Sequence, residues 1–181
     1  MKIISGKYKG RTLEGYQLEG TRPTMDRVKE SLFAMLQDKI PNSVVLDLFS
    51  GSGNLGIEAL SNGANTAYLV DHNRKAKETI EKNIKKINIE NVYVYEMDYV
   101  KALEMFDKKR ITFDCIFLDP PYKTNYIEKS IELIDQYQLL NEEGIIICES
   151  DDPNLIIYSK EYEVVKERKY GEKIIVLLKK I

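Results

Sequence analysis

Asp47-Leu48-Phe49-Ser50-Gly51-Ser52-Gly53-Asn54-Leu55-Gly56 is the stretch on which the fold turns. It follows an apolar run, Val44 to Leu48, and leads into a helical pattern, so it occupies a strand-to-helix turn. Gly51, Gly53 and Gly56 make a GxGxxG spacing, which permits a tight turn and close backbone approach by a ligand. On its own the spacing fits NAD as well as S-adenosylmethionine, and a tight turn without any ligand would also use it.

Outward from this loop, short apolar runs alternate with helical periodicity, the mark of βα units and a parallel sheet. Val44–Leu48, Ala67–Val70, Val92–Met97, Phe113–Leu118 and Ile145–Cys148 read as five strands, mostly apolar on both faces as buried parallel strands are. Ile80, Ile84 and Ile87, then Ile127, Ile131 and Ile134, form the apolar stripes of two covering helices. Tyr162–Arg168 and Lys173–Leu178 are separated only by a turn around Tyr170 and Gly171, too short for a crossover, so they predict an antiparallel hairpin. The expected fold is α/β: a Rossmann-like, doubly wound, mostly parallel seven-stranded sheet closed by an antiparallel C-terminal hairpin. That ending fits the class I methyltransferase variant of the fold better than the dehydrogenase variant. Upstream, Ile3–Ser5 and Arg11–Leu13 predict a small β-hairpin arm, and Thr24 an N-cap, with Asp26 in the first turn and Val28, Leu32, Met35 and Leu36 on one helix face.

The 181 residues suit one domain, a basic arm over 1–23 followed by a core over 24–181. Apolar residues make up 43% and charged residues 31%, an ordinary globular balance. Cys115 and Cys148 lie inside apolar runs and read as small hydrophobes. The lone histidine, His72, has no Cys or His at ligand spacing, so no metal is expected. No apolar run has signal-peptide or membrane-span length, which predicts a cytoplasmic protein with no membrane contact. Net charge is −2, yet residues 1–29 carry +4 and the remainder −6. This basic segment is either a solvated surface or a phosphate-contacting arm.

The acids give the loop its context. Asp47 ends the first strand, where it can face the ammonium of a methionine moiety but would repel a pyrophosphate. Asp71 lies 20 residues after Gly51, at the end of the second strand, where an acid accepts from ribose hydroxyls. Asp98 follows the third strand, placed either to accept from an adenine amino group, with Met97 and Tyr99 near the ring, or simply for turn chemistry. Together they favour S-adenosylmethionine, with Asp47, Phe49, Ser50, Gly51, Gly53, Asp71, His72, Met97, Asp98, Tyr99 and Asp119 as the candidate cofactor set. Asp119-Pro120-Pro121-Tyr122 follows the fourth strand at the ligand-binding end of the sheet. Two prolines hold the turn rigid, so the Asp119 carboxylate and the Pro120 carbonyl become fixed acceptors for an amine, and Tyr122 offers a stacking face. All four are candidate catalytic residues.

With these pieces assembled, the chain resembles the class I amine methyltransferases that share a [DNS]-P-P-[YFW] motif. More narrowly it resembles the bacterial family that methylates a guanine N2 in small-subunit (16S) ribosomal RNA, the RsmD type. That narrower likeness rests on Ile3-Ile4-Ser5-Gly6-Lys7-Tyr8-Lys9-Gly10-Arg11 and on Thr21-Arg22-Pro23-Thr24-Met25-Asp26-Arg27-Val28-Lys29-Glu30-Ser31-Leu32-Phe33. The resemblance implies catalysis by Asp119 to Tyr122, an rRNA or assembling small-subunit partner, and RNA contacts from Lys7, Lys9, Arg11, Arg22, Thr24 and Arg27. It also implies two departures: Asp71 stands where the family more often has Glu, and Lys29 where it commonly has Arg, which would forfeit a planar phosphate fork. Within the same chemistry, adenine-N6 or protein glutamine methylation would use the same tetrapeptide. From other classes, a non-catalytic RNA-binding module would be expected to lose the glycines or Asp119. An NAD-dependent oxidoreductase leaves Asp47, the tetrapeptide and the hairpin unexplained.

Overall fold

The computed structural model describes residues 1–15, 26–152, 155 and 159–181. The elements run α1 (Asp26–Met35), β1 (Val44–Asp47), α2 (Asn54–Ser61), β2 (Thr66–Asp71), α3 (Arg74–Ile87), β3 (Val92–Glu96), α4 (Tyr99–Lys108), β4 (Phe113–Leu118), α5 (Tyr126–Gln136), β5 (Leu140–Ser150), β6 (Tyr162–Tyr170) and β7 (Lys173–Lys180). The strands form one sheet in the order β3-β2-β1-β4-β5-β7-β6, parallel through β5 and antiparallel where β7 enters between β5 and β6. This is the Rossmann-like class I methyltransferase fold. The chain reverses direction of travel across the sheet between β1 and β4, the switch point at which such sheets bind ligands.

Alternation along the strands sends side chains to two separate cores. Val45, Phe117, Ile147 and Ile175 pack under α1, α2 and α3, while Leu46, Ile116, Ile146 and Val176 pack under α4 and α5. Cys115 and Cys148 are buried, one in each core, and burial pushes the Cys115 thiol up to about 12.

Several boundaries differ from the sequence expectation. Strand β5 starts at Leu140, not Ile145, because Phe113 pairs with Leu140 before a register irregularity that Glu143, at φ 64°, helps to turn. Strand β3 is not buried on both faces. It is the sheet edge, with Tyr93 52% exposed, and its tyrosines stack on Tyr68 of β2 at 5.1 and 6.4 Å between centroids. Helix α4 escaped the periodicity reading because its buried positions are few, Ala102, Leu103 and Phe106. The arm is a minimal hairpin: an antiparallel bridge between Lys2 and Thr12 is flanked by Ile3 N–H donating to the Arg11 carbonyl at 2.9 Å and Leu13 N–H to the Met1 carbonyl at 2.8 Å. The proposed Thr24 cap and Arg22 lie outside the described residues. No described helix is long and apolar enough to cross a membrane.

The arm is stitched to the core. Ile3 and Leu13 are buried, Lys7 N–H donates to the Ser61 carbonyl at 2.7 Å, and Ile4 N–H donates to the Glu58 carboxylate at 2.9 Å. Gly6 lies so close to the end of α2 that a Cβ there would sit 1.9 Å from the Ser61 oxygen, which, with its φ of +82°, excludes any side chain.

Candidate active site

The carboxyl ends of the parallel strands bring the predicted acids to one edge of the sheet. Asp47 ends β1, 1% exposed; its Oδ2 accepts from Gly56 N–H at 3.1 Å, while its Oδ1 has no hydrogen-bond partner among the described residues. Burial first, then the charges of Asp71 and Glu149, push this carboxyl up to about 7 against the downward pull of the Gly56 N–H. An orphaned, buried acceptor beside a glycine loop is a group that a cationic ligand would complete. Asp71, at the end of β2, braces the loop from the other side: Oδ2 accepts from Gly51 N–H at 3.0 Å and Oδ1 from Asn73 N–H at 2.9 Å. His72 is 68% exposed, its Nδ1 3.7 Å from the Asp71 carboxylate.

The loop glycines differ in what they do. Gly53 sits at φ +83°, and a Cβ there would press on Ile57 and Ile80 at 3.2 Å. Backbone conformation and core packing therefore both constrain this position. A Cβ on Gly56 would fall 2.0 Å from Leu69, so this glycine lets α2 lie close against β2. Ser50 is buried, its hydroxyl donating to the Asp47 carbonyl at 2.7 Å.

Asp98 caps α4, its Oδ2 accepting from Val100 and Lys101 N–H at 2.9 and 3.4 Å, so the turn-chemistry alternative for this residue is the one with observed partners. Met97 N–H donates to the Asp71 carbonyl at 3.0 Å, which holds this segment against the end of β2. Phe49, Tyr99 and Tyr126 form an aromatic cluster over the loop, with centroids 4.7 to 6.0 Å apart. Tyr126 was not anticipated, because the first residue of a helix carries no periodic signal. Asp119 follows β4 directly, half-buried beside buried Pro120, and Pro121 and Tyr122 are half-buried.

Two further residues join the site from strands that sequence reasoning treated as closing architecture. Glu149, near the end of β5, is 4% exposed and accepts from the Lys173 ammonium of β7 at 2.5 Å. Burial would lower the Lys173 ammonium, but the Glu149 charge and hydrogen bond, with Asp119 and Tyr122 adding, raise it above its ordinary value. A strand-end acid could have been suspected at Glu149 by analogy with Asp47, Asp71 and Asp119; nothing local marks Lys173. The turn Pro120 to Thr124, Ile127 and Glu128 of α5, and Glu149 to Asp152 with Leu155 together line a small cleft.

Among the proposed RNA contacts, Lys7, Lys9, Arg11 and Arg27 are exposed, and the Lys7 ammonium lies 5.3 Å from the Tyr8 ring centroid. Lys29 is not among them. It is fully buried, donating to the Lys2 carbonyl at 2.6 Å and to Asn54 Oδ1 at 2.7 Å, and it lies 3.8 Å from Glu58. The loss of a phosphate fork expected at this position is thus not what Lys29 turns on: a basic residue beside the arm serves the packing beneath it.

The family described as Conserved hypothetical protein 95 matches residues 1–179. Bacillus subtilis (strain 168) YlbH, named for rRNA methylation, is 44% identical over 152 residues, 83% of each chain. Ribosomal RNA small subunit methyltransferase D of Buchnera aphidicola subsp. Acyrthosiphon pisum (strain APS) is 36% identical over 166 residues, 92% of this chain and 86% of that one. The solved structure of Escherichia coli yhhF superposes with a TM-score of 0.87 at 28% identity, covering 99% of this chain and 97% of that one. With the glycine loop, the strand-end acids and the Asp-Pro-Pro-Tyr turn at one edge of the sheet, and with a family match over nearly its whole length, the chain belongs to the RsmD-type methyltransferases.

Proposed function

We propose that the protein transfers a methyl group from S-adenosylmethionine to the exocyclic N2 of a guanine in small-subunit ribosomal RNA, acting in the cytoplasm on an assembling subunit. The observation that carries this is the placement of the Asp-Pro-Pro-Tyr turn at the end of β4, next in the sheet to the β1 loop whose Asp47 Oδ1 awaits a partner. Bound there, S-adenosylmethionine supplies an electrophilic methyl on a sulfonium. Asp47 would hold its ammonium, Asp71 and His72 its ribose, and Met97, Asp98 and Tyr99 its adenine, with Phe49, Ser50, Gly51 and Gly53 forming the cradle.

The chain's own work is on the nucleophile. An aromatic amine has its lone pair delocalised into the ring, and hydrogen bonds from its two N–H groups to Asp119 and the Pro120 carbonyl turn that lone pair outward. The nitrogen gains positive charge as the bond to carbon forms, so a preorganised carboxylate stabilises the transition state more than the ground state. Pro120 and Pro121 keep both acceptors aimed, and Tyr122 stacks on the displaced base, a contact worth about 1–3 kcal/mol. Lys7, Lys9, Arg11, Arg22, Thr24 and Arg27 hold the RNA by its phosphates, which fixes register without reading sequence. The reading is tested by incubating the purified protein with deuterium-methyl-labelled S-adenosylmethionine and undermethylated small subunits. Labelled N2-methylguanosine is expected; label in N6-methyladenosine or in protein would replace the reading.

A further inference from the structure

The cleft beside the catalytic turn has two unlike walls. One is made by Pro120, Pro121, Tyr122 and Ile127; the other is the end of β5, with Glu149, Ser150, Asp151 and Asp152. Leu118 of β4 pairs with Cys148 of β5, so Asp119 and Glu149 are the next residues along two adjacent parallel strands, whose axes lie about 4.8 Å apart. Alternation puts Glu149 on the face of Ile147, and Lys173 on the face of Ile175, the residue of β7 paired with Glu149. The Lys173 ammonium at 2.5 Å then holds the Glu149 carboxylate in one orientation beside Asp119, which alternation puts on the same face, that of Phe117. Keeping a charge pair at 10% and 4% exposure is costly, and apolar residues would fill the same volume at least as stably. A fixed acceptor next to Asp119 is what the pair gains.

Base chemistry says what such an acceptor would select. On its Watson–Crick edge guanine presents N1–H beside the N2 amine, so neighbouring groups both donate. Adenine and cytosine present an amine beside a bare ring nitrogen, whose lone pair a carboxylate repels. We infer that Glu149, held by Lys173, accepts the N1–H of the target guanine while Asp119 and Pro120 accept from its N2 amine, making Glu149 the residue that sets base specificity. This rests on the guanine-N2 reading above and adds to it the group that enforces it.

The test uses small subunits reconstituted with RNA carrying 2-aminopurine in place of the methylated guanine. That base keeps the N2 amine but has a bare N1. The wild-type enzyme is expected to methylate it about 10²-fold more slowly than guanine, the cost of setting a bare acceptor against a buried carboxylate. Glu149→Gln, whose amide can donate to N1, is expected to narrow that ratio at least about 10-fold, a change of preference that a general loss of folding would not produce. Equal wild-type rates on the two bases would overturn the assignment, needing no variant to fold. So would a Glu149→Gln enzyme that folds and keeps the full preference. Failure to methylate guanine N2 in unmodified subunits would instead remove the parent reading, and this assignment with it.

Discussion

Two buried Lys–Glu pairs lie on the α1–α3 side of the sheet, and they do opposite things. Lys29 and Glu58 join the arm to α2. They are 3.8 Å apart at 0% exposure, and burial outweighs their attraction, lowering the lysine and raising the glutamate toward neutrality. Each is satisfied mainly by neutral partners: the Lys2 carbonyl and Asn54 for one, Ile4 N–H and Ser5 for the other. Lys173 and Glu149 are in direct contact at 2.5 Å, their attraction outweighs burial at the lysine, and they sit at the strand ends beside Asp119. The same two residue types thus act as a structural clamp in one place and as a fixed charge beside Asp119 in the other. What decides between them is what surrounds them, the arm and α2 in one case and the strand ends beside Asp119 in the other, not their chemistry.

The sharpest way to break this comparison is at the clamp. Lys29→Met should cost about 3 kcal/mol in urea unfolding, because Glu58 is left buried without its cation. Methyl transfer per folded molecule should change little. A loss under 1 kcal/mol would show that Lys29 is not what holds the arm to α2. On the reactive side, Asp119→Ala should leave the melting temperature and cofactor affinity nearly unchanged while lowering single-turnover methyl transfer by about 10²–10³. Asp119→Asn separates the causes: retained partial activity assigns part of the effect to lone-pair orientation, and none assigns most of it to charge.

Smaller effects are expected at the margins. Neutralising Lys7, Lys9 and Arg11 together should weaken RNA binding and reduce the slope of log affinity against log salt by about 2 to 3, with cofactor affinity held. An unchanged slope would return these exposed side chains to a solvated surface. Asp47 gives the most specific pH dependence. Its folded value of about 7 lies above its ordinary value near 3.8, so the folded state holds the proton. The stability this contributes is complete below pH 3.8 and is lost as pH rises through about 7. Asp47→Asn should therefore melt progressively higher than wild type between pH 4 and pH 8, the gap widening toward the upper end, while binding cofactor more weakly. A melting difference that does not vary with pH would mean Asp47 is not protonated in the free protein.

Much of the fold was legible because each cue was local and redundant. The apolar runs at Val44, Phe113 and Ile145, the isoleucine stripes of α3 and α5 and the short turn before Lys173 each admit one arrangement in a doubly wound sheet. What escaped depends on neighbours distant in sequence. The edge position of β3 leaves Tyr93 exposed, although Val92 to Met97 reads like a buried strand. The candidate site shows the same division. Asp47, Asp71 and Asp119 announce themselves by following strands, but Lys29 looks like one more cation of a basic arm until Glu58 and Asn54 are seen around it. Lys173 gains its meaning only from pairing that brings β7 beside β5.

The most direct test of the central claim is nucleoside mass spectrometry of small-subunit rRNA from cells with and without the gene. The account predicts that deletion removes N2-methylguanosine at one position, that the wild-type gene restores it, and that the Asp119→Ala gene does not. Unaltered N2-methylguanosine in the deletion strain would contradict it.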